Sequence, residues 1–118
     1  MKLTINKISD NIEVIPSIYK DMEKPPKFIF RTPNSSDMLK FLWGGNAVDE
    51  AIFNCFLNFE NKIELQDIEG KPIEYNNYEQ FVKIGLSDEI ALIHAECRAI
   101  FEETLAKMLK EAKETEKK

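Results

Sequence analysis

Soft metal ligands are scarce in this chain. One histidine (His94) and two cysteines (Cys55 and Cys97) are the whole supply, with no CxxC or HxxxH spacing. A zinc site needs four such ligands, or three and a water, so no metal centre is expected, and no cofactor motif stands in its place. Glycine is thin as well, at four residues. The one adjacent pair, Gly44-Gly45, lacks the lysine of a Walker loop and the GxGxxG spacing of a dinucleotide site; with Asn46 it reads as a corner between helices. No run approaches the ~18 apolar residues of a membrane helix. The first residues, MKLTINKISD, contain no apolar stretch of a secretory leader. These absences lead to the expectation of a cytoplasmic protein. Positive charge is also short, 16 Lys and Arg against 21 Asp and Glu, a net charge of −5. Nucleic acid and anionic lipid surfaces need clustered cations, and no basic stripe is present, so neither is an expected partner.

What is present suits one globular domain. Of 118 residues, 43% are apolar and 31% charged, an ordinary balance for a packed core. The patterning predicts an α+β fold, predominantly α-helical: short N-terminal strands, a small helical bundle with a β-hairpin-like insert, and a long C-terminal helix. A single domain over residues 1–110 is expected, followed by a polar, frayed helical tail over 111–118. In NIEVIP (11–16), Ile12 and Val14 share a face and Pro16 stops the strand. After a polar loop, KFIFR (27–31) alternates Phe28 and Phe30 with Lys27, Ile29 and Arg31, a strand that pairs with 11–16 or with 2–7. NSSD (34–37) offers N-cap oxygens, and Asp37 suits the first turn of a helix. Met38, Leu39, Phe41 and Leu42 form that helix's short apolar face, which Gly44-Gly45 ends.

A second helix is predicted over 47–59, with Asn46 as its cap and Asp49 in a capping-box-like position. At about 100° per residue, Val48, Ala51, Ile52, Cys55 and Phe59 make one stripe. Phe53, Phe56 and Leu57 make a second, interrupted by Asp49. A helix so widely apolar is either central or shows a stripe to a partner. Residues 62–75 read as a hairpin around Glu69-Gly70, with Ile63 and Leu65 opposite Ile73 and Tyr75. Six acids against two lysines over 60–79 mark a solvated surface. Asn76 or Asn77 caps a short helix that Gly85 ends, with Leu86 as the apolar contact of its cap. The last helix starts at Ser87-Asp88-Glu89 and turns Ile90, Ile93, Cys97, Ile100, Phe101, Leu105 and Met108 to one face.

Reactive candidates are few. His94 and Cys97, one turn apart, are the residue types of a nucleophilic dyad. A reactive thiol, however, needs an exposed electropositive setting, and Cys97 falls on the core face beside Glu96. The cysteines therefore read as buried, reduced thiols, and the acid pairs Asp49-Glu50 and Asp88-Glu89 as first-turn residues that the helix dipole favours. Binding surfaces remain. Aromatic residues anchor interfaces as well as cores, and Trp43, Phe53, Phe56 and Leu57 are the candidate partner-binding residues.

The order of segments resembles a known family. PPKFIFRTPNSSDMLKF, then AVDEAIFNCFLNFEN, then a hairpin-like insert with GKPIEYNNYEQFVKIGLS and a closing helix are similar to the small tail assembly chaperones of long-tailed bacteriophages and prophages. In those proteins an F-x-x-R-x-P run precedes a helical domain; here it is Phe28, Arg31 and Pro33. The likeness spans about residues 24–105. It implies a non-enzymatic protein of the bacterial host cytoplasm, without cofactors, that binds the helical tape-measure protein and recruits tail-tube subunits, and it leaves a homo-oligomer open. The alternative is a structural phage protein, a tail completion or connector subunit that forms an oligomer. A third reading is a small enzyme built on His94 and Cys97.

Overall fold

Apolar alternation around Phe28 and Phe30 organises the molecule. The computed structural model describes residues 1–3 and 11–116. Strand β1 (Ile12–Val14) pairs antiparallel with β2 (Lys27–Phe30), Ile12 opposite Phe30 and Val14 opposite Phe28. Because side chains alternate across a strand, all four of these residues enter the core and are buried. The other candidate partner of β2, residues 2–7, lies mostly outside the described residues. Pro16 ends β1 and is itself buried. The loop that follows makes one 3-10 turn, Ser17–Tyr19.

The helix predicted over 47–59 is two elements. Helix α2 runs Asn46–Cys55, and Phe56–Glu60 is strand β3. It pairs antiparallel with β2 on the edge away from β1, so the sheet order is β1-β2-β3. Phe59 lies opposite Phe28 and Phe56 opposite Phe30, with a slip between Ile29 and Phe30 that leaves Leu57 without a partner. A one-residue bulge shifts the alternation by one. Phe56 and Phe59, three apart, therefore reach the same face, and their rings lie 4.5 Å apart. A three-residue apolar spacing is also what a helix produces, which is why FLNF imitates a continuation of α2. The helix buries Val48, Ala51, Ile52 and Cys55; Phe56, Leu57 and Phe59 belong to the sheet.

Helix α1 (Ser35–Trp43) begins with a reciprocal capping box. The Asn34 side chain accepts the Asp37 N–H, and the Asp37 carboxylate accepts the Asn34 N–H, both at 3.0 Å. The predicted apolar face divides: Met38 and Phe41 are half-buried, with Phe41 stacked on Phe101 at 6.2 Å, while Leu39 and Leu42 face solvent. α2 lacks the expected cap. Gly45 is its N-cap without a side-chain hydrogen bond, and Asn46 is already helical.

The insert forms a hairpin of β4 (Leu65–Gln66) and β5 (Pro72–Ile73), Leu65 opposite Ile73, with Gly70 at φ 86° in the turn. Asn77 caps α3 (Tyr78–Lys83) by accepting the Gln80 N–H at 2.8 Å. Leu86 is fully exposed and makes no capping contact. Helix α4 (Asp88–Glu116) starts at Ser87, whose hydroxyl accepts the Ile90 N–H, and continues through 111–116. It buries Ile90, Ile93, Cys97, Phe101 and Leu105 as its periodicity requires.

All eight phenylalanines pack in or against one core. Phe30 sits at its centre, edge-on to Phe101 at 5.1 Å and Tyr78 at 5.2 Å, the arrangement aromatic quadrupoles favour. The phenylalanines are thus taken up by the core, whereas Trp43 is not.

The corner between α1 and α2 depends on backbone torsion rather than on space. Gly44 (φ 74°, ψ −171°) and Gly45 (φ 59°, ψ −136°) both lie where side-chain-bearing residues are strained, yet an added Cβ would meet nothing within 4 Å. Gly44→Ala is therefore expected to cost about 1–3 kcal/mol in urea denaturation despite the open surroundings. A loss of only a few tenths would contradict a torsional requirement.

Candidate functional site

Two polar clusters cross the apolar interior. The first forms where β2 ends. Arg31 follows Phe30, and its backbone N–H donates to the Cys55 carbonyl at 2.8 Å, extending the β2–β3 ladder to the end of α2. Its guanidinium donates to Asp37 Oδ2 at 2.8 Å and to the Asn54 carbonyl at 3.3 Å. Asp37 is 4% exposed, the one buried charged residue among those described. Three donors meet its carboxylate: Arg31, the Asn34 N–H and, weakly, the Cys55 thiol at 3.6 Å. Burial opposes the charged form of Asp37, but the Arg31 hydrogen bond, the Asn34 N–H and the Arg31 charge outweigh it and hold the carboxyl below the usual carboxylate range.

Both thiols are free and buried. Burial, reinforced by the neighbouring Asp37 charge, pushes Cys55 up to about 12; burial pushes Cys97 up to about 12 despite the nearby Tyr78 hydroxyl. Each stays protonated at neutral pH, the opposite of an activated nucleophile.

The second cluster holds His94, whose two ring nitrogens are both engaged. Nδ1 lies 2.7 Å from the Tyr78 hydroxyl and Nε2 lies 2.7 Å from Asp49 Oδ1. A neutral ring satisfies both when Nε2–H donates to Asp49 and Nδ1 accepts the Tyr78 O–H. Tyr78 is fully buried, and burial pushes its phenol upward. Phe53 stacks on the imidazole at 5.8 Å and 26°. This chain ties α2, α3 and α4 together. It also accounts for Asp49, whose carboxylate turns to His94 rather than to a cap. His94 has no hydrogen bond to Cys97, so the dyad suggested by their spacing is not assembled. The only sequence signal for this cluster is an acid, Asp49, interrupting an apolar stripe.

The four candidate binding residues separate. Phe53 and Phe56 are half-buried and pack against core rings. Trp43 is 73% exposed, and Leu57, on the bulge, 49%. Trp43 instead joins Leu39 and Leu42, 51% and 78% exposed. At positions i, i+3 and i+4 these share one face of α1, an apolar ridge turned to solvent. Among the described residues no three His, Cys, Asp or Glu side chains are placed to hold a metal, and no helix is long and apolar enough to cross a membrane.

Comparison with protein-family models, curated proteins and solved structures gives no match to this chain.

Two outcomes test the clusters. Asp37→Asn is expected to cost roughly 1–3 kcal/mol at pH 7 by weakening a buried charge-assisted network. Because the folded carboxyl is depressed below its ordinary 3.8, its contribution is complete above that value and is lost as pH falls through the folded one. The gap between wild type and variant, measured by urea midpoints, should stay level from neutral pH and narrow below about pH 4; a gap that grows in acid would contradict this. For the second cluster, His94→Ala should cost about 1–3 kcal/mol by orphaning the Tyr78 hydroxyl. Adding Tyr78→Phe should recover part of that loss, whereas strict additivity would show that the two are not coupled.

Proposed function

We propose that this chain is a non-enzymatic binding protein of the phage or prophage tail assembly chaperone kind, working in the host cytoplasm. In this reading α1 takes an amphipathic helix of the tape-measure protein and so brings tail-tube subunits to it. The observation that carries the reading is the ridge of Leu39, Leu42 and Trp43. Single exposed apolar residues are ordinary, but a contiguous set on one helix face suits a partner, and i, i+3, i+4 anchors on α1 suit lengthwise packing against the apolar face of another helix. The ridge carries no free charge, since Lys40, the cation of α1, lies 3.7 Å from Glu50. It is also held in place by the capping box at one end and the glycine corner at the other, so little ordering is needed on binding. The protonated thiols and the internally engaged histidine favour this reading over the dyad of His94 and Cys97. The same ridge would serve contacts between copies in a tail completion or connector ring, and light scattering of the purified chain separates a monomer from a ring.

Co-expression with overlapping segments of a tape-measure protein tests the proposal. One segment should co-purify. Leu42→Ser with Trp43→Ser should reduce recovery about tenfold or more while changing unfolding stability by no more than about 0.5 kcal/mol, since both side chains are exposed. Failure to co-purify across the whole tape measure, or retention undiminished by the double substitution, would sink it.

A further inference from the structure

Charge decides where two copies of this chain can meet. Each carries a net charge of −5, with six acids against two lysines over residues 60–79, so most approaches of one copy to another are repulsive. The outward face of α1 is different. Ser35, Ser36, Leu39, Leu42 and Trp43 are exposed on it, and none is charged. Of the charged residues of α1, Asp37 is buried against Arg31, and Lys40 lies 3.7 Å from Glu50. No other stretch of five described residues exposes three large apolar side chains. The surface on which two acidic copies touch without opposing charge is thus also the one with most apolar area to cover.

We propose that the α1 ridge pairs with the same ridge of a second copy in a weak, closed dimer. The proposal deepens the chaperone reading, because it names what covers the ridge before a tape-measure helix does. Two α1 helices laid antiparallel about a two-fold axis put Leu39 of each copy against Trp43 of the other, with the Leu42 side chains meeting near the axis. One patch pairing with itself is used up at two copies, whereas a ring needs two different patches. The area sets the strength. Leu39, Leu42 and Trp43 are 51%, 78% and 73% exposed. Taking about 150–250 Å² for each large apolar side chain, two ridges bury roughly 600–1,000 Å² together, short of the ~1,200 Å² at which stable interfaces begin. A dissociation constant of roughly 10 μM to 1 mM is therefore expected. A pair this weak opens readily and gives way to a tighter occupant of the same ridge.

Trp43 is the only tryptophan of the chain, so its fluorescence reports on the ridge alone. The test follows sedimentation equilibrium and tryptophan emission of the full chain together, from concentrations below that range to its upper end. Mass should rise from one copy toward two, and the emission should shift to the blue in step as Trp43 leaves water. Added salt should tighten the pair, because screening relieves repulsion between acidic copies and leaves apolar contact intact. Leu39→Ser with Leu42→Ser keeps the reporter and should weaken association about tenfold or more, with little change in the urea midpoint since both side chains are exposed. Leu92→Ser, at an exposed position of α4, should leave association unchanged. A chain that stays monomeric throughout would overturn the dimer. So would growth beyond two copies, association without a shift in emission, loosening by salt, or an equal loss in the Leu92 variant. No tape-measure protein takes part, so the dimer can fail while co-purification succeeds, or hold while co-purification fails, and the two failures are told apart.

Discussion

The Arg31–Asp37 pair is the constraint on which the arrangement of this molecule depends. A single residue joins three events in the chain. Its backbone closes the β2–β3 ladder at Cys55, its guanidinium reaches the Asn54 carbonyl at the end of α2, and it meets the carboxylate that caps α1. A buried carboxylate with one partner removed is far costlier than the intact pair is stabilising. The network is therefore better understood as fixing where α1 starts and how it lies than as a reserve of stability. Pro33 is buried between these two points, so Phe28, Arg31 and Pro33, the residues behind the chaperone resemblance, each have a packing or pairing role in the fold itself.

From that joint the distribution of apolar surface follows. The sheet turns Phe28, Phe30, Phe56 and Phe59 toward α3 and α4, and the helices complete the core with Tyr78, Phe81 and Phe101. α1 lies at the margin, with Phe41 against Phe101 and the ridge of Leu39, Leu42 and Trp43 facing outward. The polar groups brought inside are paired: among the described residues no buried side-chain nitrogen or oxygen lacks a hydrogen-bond partner. The interior is thus satisfied, and the apolar surface that it leaves uncovered on α1 is the ridge of Leu39, Leu42 and Trp43.

Much of this was legible in the sequence, and the rest was hidden for identifiable reasons. The β1 and β2 strands, the hairpin, the capping of α1 and the buried face of α4 follow from alternation, turn residues and the 3.6-residue period, which act locally. The end of α2 was hidden because a bulge at Leu57 gives two strand phenylalanines a helical spacing. Long-range pairing with β2 decided between the two, and no window of sequence contains that partner. The polar clusters were partly visible. Asp37 was readable as a first-turn acid, but its pairing with Arg31 was not. Asp49 was readable as an interruption in an apolar stripe, but His94, forty-five residues away, is its partner only in three dimensions. Among the candidate binding residues, periodicity could not separate Trp43 and Leu57, which remain exposed, from Phe53 and Phe56, which the core takes up.

Arg31 orients α1 and thereby the ridge it carries. Amide hydrogen exchange of an Arg31→Gln variant tests this most directly, because it reports each element separately. Protection over residues 35–43 should fall toward that of a fraying helix, while the amides of β2 and the central turns of α4 keep theirs. Unchanged protection over α1, or an even loss across the whole chain, would contradict the claim that this one pair fixes the helix in place.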